Sequence, residues 1–185
     1  MLKPAALCSP EVLLASFLFL ARSTRVPYLL CGPSGSGKTT WLLEMLRFAQ
    51  QAEWQCGGLI SPPVFENNHK TAIELLDAAS GERRRLAQRR PPASVPRPGE
   101  PPPGWIFQPE TLNWGNQQLL ALQSCDLLFI DELGPLEWQH NQGLQSAFLT
   151  LERSEYRAAL ITIRPGLLPL ARQRWPRAQL LEFTS

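Results

Sequence analysis

Cysteine and histidine are scarce in this chain, and neither falls at a metal-ligand spacing. Cys8, Cys31, Cys56 and Cys125 form no C-x-x-C pair, which argues against a zinc or disulfide role. Three of the four lie beside apolar runs, as small buried thiols do in a reducing cytoplasm. His69 and His140 have no partner spaced for catalysis or metal binding. Charge is nearly balanced: 18 Lys and Arg against 16 Asp and Glu leave a net +2, which points neither toward nor away from a polyanionic partner. No internal repeat is visible, and there is no long apolar run. The most hydrophobic stretch, Val12-Leu-Leu-Ala-Ser-Phe-Leu-Phe-Leu-Ala21, has ten residues, about half of the ~20 that a membrane-spanning helix needs. With Lys3 ahead of it the stretch resembles a secretory leader. However, Ala21-Arg-Ser lacks the small-x-small cleavage pattern, and a strand begins a few residues later. The expectation is a helix starting at the Ser9-Pro10-Glu11 capping signal.

At 185 residues, with 44% apolar and 18% charged side chains, the chain suits one soluble globular domain with a core of its own. One stretch organises it. Gly32-Pro33-Ser34-Gly35-Ser36-Gly37-Lys38-Thr39, followed by Thr40, fits G-x-x-x-x-G-K-[ST], the phosphate-binding loop. Val26-Pro-Tyr-Leu-Leu-Cys31 before it reads as a short apolar strand. Trp41 to Ala49 after it reads as a helix with Leu42, Leu46 and Ala49 on one face. That context matters, because the loop aims backbone N–H groups and a helix N-terminus at phosphate oxygens. Lys38 would reach the β- and γ-phosphates, the Thr39 hydroxyl would ligate Mg²⁺, and Thr40 would hydrogen-bond the α-phosphate.

Further along, Cys56 to Ser61 reads as a second strand. Ser61–Glu66 and Lys70–Asp77 flank Asn67-Asn68 as a β-hairpin. Ser80-Gly81 marks a turn, and Arg83–Ala87 a short exposed strand. From Arg90 to Gly104 seven of fifteen residues are proline, which fits a solvated, polyproline-leaning loop. Order resumes at Trp105-Ile-Phe107. A helix is expected from Pro109 to about Ser124, with Leu112, Leu119, Leu120 and Leu122 as its apolar residues, and others from Gln142 to Arg153 and from Leu167 to Trp175. The unalternating runs Asp126–Glu132 and Ala158–Ile163 suit parallel strands buried on both faces, and Gln179–Phe183 closes as a last strand. Strands alternating with helices predict an α/β fold, a mainly parallel central sheet flanked by helices with an inserted β-hairpin. The expected division is a helical extension over 1–24 and a nucleotide-binding domain over 25–185, with a flexible proline-rich loop at 90–104.

Leu127-Leu-Phe-Ile-Asp131-Glu132 supplies what a phosphate loop needs to act on a nucleotide. Asp131 sits where a second Mg²⁺-binding carboxylate sits in such proteins. Glu132 is placed to polarise an attacking water as general base, and Glu137 to orient the turn between them. Arg164 ends the strand Leu160–Ile163 and is a candidate for transition-state charge, and Thr162 is a candidate γ-phosphate sensor. Arg83-Arg84-Arg85 with Arg89-Arg90 forms a basic run that fits a phosphate lid, a nucleic-acid contact or, most plainly, a solvated face. Trp41 is a candidate for packing near the nucleotide.

Three elements together resemble the small nucleoside-triphosphatase family whose animal members are called cancer-related nucleoside-triphosphatases. They are Gly32–Thr40, the Gly57-Gly58 strand with its hairpin, and Ile130-Asp-Glu-Leu-Gly-Pro-Leu-Glu137, whose D-E-x-G-x-x-E pattern is the family's mark. The resemblance runs from about Leu29 to Phe183. It implies a RecA-like P-loop NTPase fold and slow, Mg²⁺-dependent hydrolysis of ATP, GTP and other NTPs. The hairpin departs from the pattern: Phe65 stands where members often carry arginine, and Lys70-Thr-Ala-Ile73 where they carry Arg-x-Gly-Phe. The expected protein is a cytoplasmic monomer that takes Mg²⁺ and nucleoside triphosphates, without a membrane partner and with nucleic acid unsupported. The residues leave two alternatives open: a nucleotide or polynucleotide kinase using the same loop, and a nucleotide-dependent switch or adaptor.

Overall fold

The computed structural model of the chain describes residues 9–90 and 104–184; Cys8 and most of the proline-rich stretch expected as a loop lie outside them. Among the described residues the apolar runs form the middle of a nine-stranded sheet in the order β6 (Trp105–Phe107), β5 (Arg83–Arg89), β4 (His69–Asp77), β2 (Cys56–Ile60), β7 (Leu127–Ile130), β8 (Ala158–Ile163), β1 (Val26–Cys31) and β9 (Gln179–Glu182), with β3 (Pro63–Glu66) paired to β4. The parallel half comprises β2 (Cys56–Ile60), β7 (Leu127–Ile130), β8 (Ala158–Ile163), β1 (Val26–Cys31) and β9 (Gln179–Glu182). Every residue of β7 and β8 is buried. Successive side chains on a strand point to opposite faces, so a strand covered on both sides needs apolar residues at every position. Phe129 and Leu160 join one core with Leu30, and Ile130 and Ile161 join the other with Leu29.

Helices α1 (Pro10–Phe17) and α2 (Lys38–Gln51) cover the first face. Leu13, Leu14 and Phe17 of α1 pack in one cluster with Trp41, Leu42 and Met45 of α2. Helix α3 (Pro109–Ala121), α5 (Ser146–Arg153) and α6 (Leu168–Arg174) cover the second face through residues including Trp114, Leu119, Leu151 and Ala171. No helix among the described residues is long and apolar enough to cross a membrane.

Several local expectations shift. Helix α1 starts where expected, but the Ser9 side chain makes no capping hydrogen bond; the fixed φ of Pro10 is what starts it. Helix α3 ends at Ala121 rather than near Ser124, because Leu122 is extended. Leu120 points to solvent at 52% exposure, and Trp114 takes its place in the core. The helix expected from Gln142 begins only at Ser146, and a five-residue helix, α4 (Pro135–Gln139), precedes it. Asn141 and Gly143 have positive φ, which breaks any helix across them.

The antiparallel part is wider than the hairpin β3 (Pro63–Glu66)–β4 (His69–Asp77). Strand β5 (Arg83–Arg89) is paired on both edges, to β4 and to β6 (Trp105–Phe107). Its Arg83, Arg84 and Arg85 are exposed, as the sequence suggests, while Leu86 and Ala87 are buried. On the N-terminal edge of the parallel strands, Asp126 is clamped by Arg157 Nε at 2.8 Å, Arg22 Nε at 3.0 Å and the Gln55 N–H at 3.0 Å. Burial pushes the Asp126 carboxyl up, but the hydrogen bonds from Arg22, Arg157 and Gln55 outweigh it and hold the pKa down at about 2.

Candidate active site

Parallel strands bring their carboxyl ends to one edge of a sheet, where ligands sit. Here that edge carries the loop after β1, the Asp131-Glu132 turn after β7, and Arg164 after β8. Strand β8 lies between β1 and β7, so its last residues face both neighbours' loops. The result is a cleft of about 240 Å³ lined by Ser34, Gly35, Gly37, Lys38, Thr39, Thr40, Asp131, Glu132, Thr162 and Arg164, among others.

The loop Gly32–Gly37 runs into α2, whose N-terminus opens on the cleft. Gly37 caps it with φ 87°, left-handed backbone that a β-carbon would strain. Gly32 is required for space: a β-carbon there would lie 2.5 Å from the Phe183 carbonyl oxygen. The Lys38 Nζ donates to the Gly32 oxygen at 2.8 Å and the Pro33 oxygen at 2.7 Å, and lies 3.3 Å from Ser36 Oγ. Burial pushes its pKa down, against the pull of Asp131 and Glu132. A phosphate would give this ammonium the negative partner that the carbonyls only approximate.

Asp131 is buried at 4% exposure. One oxygen accepts from Thr39 Oγ1 at 2.9 Å and from the Ser61 N–H at 3.0 Å; the other accepts from Thr162 Oγ1 at 2.7 Å. Burial pushes its pKa up, with these hydrogen bonds opposing. Among the described residues it makes no ion pair, so a buried carboxylate lies beside a hydroxyl with no cation of the protein's own in contact. That hard-oxygen pair fits Mg²⁺, which binds through one or two protein oxygens plus phosphate and water. No group of three or more His, Cys, Asp or Glu that could hold a metal exists among the described residues, so the fit depends on phosphate oxygens completing the shell.

Glu132 adopts φ 64°, a left-handed conformation that costs a non-glycine residue about 1–3 kcal/mol. Its N–H donates to Thr162 Oγ1 at 2.6 Å, so one buried hydroxyl ties both acidic residues to β8. The Glu132 carboxylate, partly exposed in the cleft, is paired with the Arg164 guanidinium. The turn is fixed from its far side by Glu137, which accepts the Gly134 N–H and the Leu144 N–H, each at 2.9 Å. Glu137 is thus a buried brace on the Asp131-Glu132 turn, as its spacing suggests.

Trp41 is 6% exposed and packs edge-on to Phe183, with ring centroids 6.0 Å apart. It is core, and does not line the cleft. Arg83 pairs with Glu74, and Arg84 with Glu82; none of Arg83, Arg84, Arg85 or Arg89 lines the cleft. Several lining residues lie outside the expected set, among them Lys70, Phe65 and Ser61. Lys70, at the start of β4, brings an ammonium to the cleft where the hairpin had seemed to lack a cation, and Phe65 sits at its rim. Ser61, at a strand end in the sequence, holds Asp131 through its backbone N–H. The signal for Lys70 was its position opposite Phe65 in the hairpin, which folds both toward the phosphate loop.

Comparison with known proteins gives a consistent picture. The model of the NTPase family matches residues 27–166. The nucleoside-triphosphatase THEP1 of Methanopyrus kandleri is 29% identical over 113 residues, 61% of this chain and 60% of that protein. The corresponding protein of Pyrococcus abyssi is 26% identical over 154 residues, 80% of this chain and 82% of that one. The alignments with the M. kandleri, Thermococcus kodakarensis and Saccharolobus solfataricus relatives span 59–64% of those proteins' length. The solution structure of a human cancer-related nucleoside triphosphatase superposes with a TM-score of 0.64 at 19% identity, covering 86% of this chain and 89% of that one. The shared architecture is the P-loop NTPase fold, with a mostly parallel sheet.

Proposed function

Since this chain belongs to the NTPase family, we propose that it is a Mg²⁺-dependent nucleoside-triphosphatase that cleaves ATP, GTP and other NTPs to the diphosphate and phosphate. The observation that carries the reading is the Thr39–Asp131–Thr162–Glu132 chain of hydrogen bonds, which couples the phosphate loop to the acidic turn. The loop amides from Gly32 to Gly37 and the N-terminus of α2 hold the β- and γ-phosphates, and Thr40 lies beside the α-phosphate. Lys38 leaves its carbonyl partners for the phosphates. Thr39 and Asp131 would hold Mg²⁺, which would supply positive charge to the phosphates. The Glu132 carboxylate orients water for attack on the γ-phosphorus and takes its proton.

Arg164 is within reach of both partners. It pairs with Glu132; with nucleotide bound it turns to the γ-phosphate, stabilises developing charge and frees Glu132 to act as base. Lys70 supplies the cation that the hairpin contributes. On this reading the described residues from Arg25 onward carry the nucleotide-binding domain, and Pro10–Phe17 is a helical extension ahead of it. The free thiols of Cys31, Cys56 and Cys125 suit a reducing cytoplasm. The test is phosphate release from ATP, GTP, CTP and UTP with and without Mg²⁺. Release from several of them only with Mg²⁺ is expected. Glu132→Gln should retain nucleotide binding and lower kcat by about 10²–10⁴. No release from any nucleotide overturns the reading.

A further inference from the structure

The γ-phosphate side of the cleft does not end at Glu132. It opens into a second cavity of about 440 Å³, and Ser34, Ser61, Lys70, Asp131, Glu132 and Arg164 line both. Beyond that shared mouth the walls are mainly apolar and aromatic, with Ile73, Leu86, Trp105, Phe107, Leu112 and Leu136, and Glu137 and His140 also line them. A hydrolytic water needs roughly 30 Å³, so the cavity greatly exceeds what hydrolysis requires. Its volume falls in the range of small-molecule pockets, about 300–1,000 Å³, and its lining has their character, an apolar chamber with polar groups gathered at one end. The chamber is built by the antiparallel extension, since β5 carries Leu86 and β6 carries Trp105 and Phe107. The polar end is where the γ-phosphate of a nucleotide on the loop would arrive, and Glu132 stands at the junction.

We propose that this cavity receives a second organic ligand, a nucleoside-sized alcohol with a flat ring, and that the protein transfers the γ-phosphoryl group to it. The inference rests on the nucleotide-binding reading above. Trp105 and Phe107 offer aromatic surface for a ring, a contact worth about 1–3 kcal/mol per base where stacking has been measured. The chamber's apolar residues favour the ring, and its polar end points a hydroxyl at the phosphate. In the transfer step the acceptor's hydroxyl oxygen bonds to the γ-phosphorus as the bond from that phosphorus to the β,γ-bridging oxygen breaks. The hydroxyl proton passes to the Glu132 carboxylate, and the nucleoside diphosphate leaves. One base and one phosphate cradle thus serve two nucleophiles, and occupancy of the chamber selects between them.

The test uses the full chain and the nucleosides adenosine, guanosine, cytidine, uridine and thymidine as probes. Calorimetric titration into protein loaded with the β,γ-imido analogue of ATP should show saturable binding of at least one nucleoside, and that nucleoside should acquire label from γ-labelled ATP. Leu136→Trp and, as a second filled variant, Leu112→Phe should weaken nucleoside binding at least tenfold while leaving phosphate release from ATP alone unchanged. The inference is overturned if no nucleoside binds or is labelled, if binding competes with ATP so that the chamber houses the nucleotide's own base, or if both filled variants bind as the parent does. Phosphate release from ATP without nucleoside reports separately on the hydrolytic reading: transfer without release would overturn that reading and leave this one standing.

Discussion

Replacing Thr162 by valine removes one hydroxyl and keeps the side chain's shape. That hydroxyl donates to Asp131 at 2.7 Å and accepts the Glu132 N–H at 2.6 Å, in a residue only 2% exposed. The substitution leaves a buried carboxylate oxygen and a backbone N–H unpaired, at about 1–3 kcal/mol each. The added methyl group recovers close to 1 kcal/mol. The net loss is therefore about 1–5 kcal/mol, which for a chain of this size lowers Tm by roughly 2–20 °C. Catalysis should suffer separately, because the same bond holds Glu132 in its left-handed conformation. A shift of the carboxylate by about 1 Å costs on the order of 10² in kcat. Calorimetric melting, steady-state phosphate release and nucleotide titration measure the three consequences, with Thr162→Ser as the control that keeps the hydroxyl. A valine variant that melts and turns over like the parent would refute the coupling of the two acidic residues through Thr162.

Lys38→Ala should weaken nucleotide binding or turnover severely, and normal behaviour in both assays would remove the loop from function. Arg164→Ala should lower kcat by about 10³ or more with a small change in nucleotide Kd; unchanged kcat would reduce Arg164 to a rim partner of Glu132. The Asp126 clamp predicts a pH dependence of stability. Its folded pKa of about 2 lies below the ordinary 3.8, so its contribution, about 2 kcal/mol, is fully present above the unfolded pKa and lost as pH falls from about 4 through 2. Asp126→Asn should be less stable than the parent near neutrality, with the gap closing toward pH 2 in urea titrations; a gap that stays constant over that range would contradict the clamp.

The resemblance placed the family and the P-loop fold in view early, and the residue pattern carried much of the site geometry with it. The phosphate loop is contiguous, and its glycine, lysine and threonine positions act through local backbone conformation. Asp131 and Glu132 were legible because a strand buried on both faces writes an unbroken apolar run, and its end is marked where the carboxylates begin. The helix boundaries near Ser124 and Gln142 were misplaced because Leu122, Asn141 and Gly143 take backbone angles imposed by distant contacts. Ser154 Oγ donates to the Leu122 oxygen, and the Asn116 side chain donates to the Gly143 oxygen and accepts the Ser146 N–H.

The local chemistry of this protein, a phosphate cradle and an acidic strand end, was determined by sequence alone, because each depends on residues adjacent in the chain. Tertiary structure decided what surrounds them. Sheet order set β8 between β1 and β7, which made Thr162 the link between Asp131 and Glu132 and brought Arg164 to the Glu132 carboxylate. The hairpin's fold carried Lys70 to the cleft, and the pairing of β5 with β6 raised the apolar wall beyond the γ-phosphate position. Those relations join residues far apart in sequence through strand register and packing, and no local periodicity encodes them.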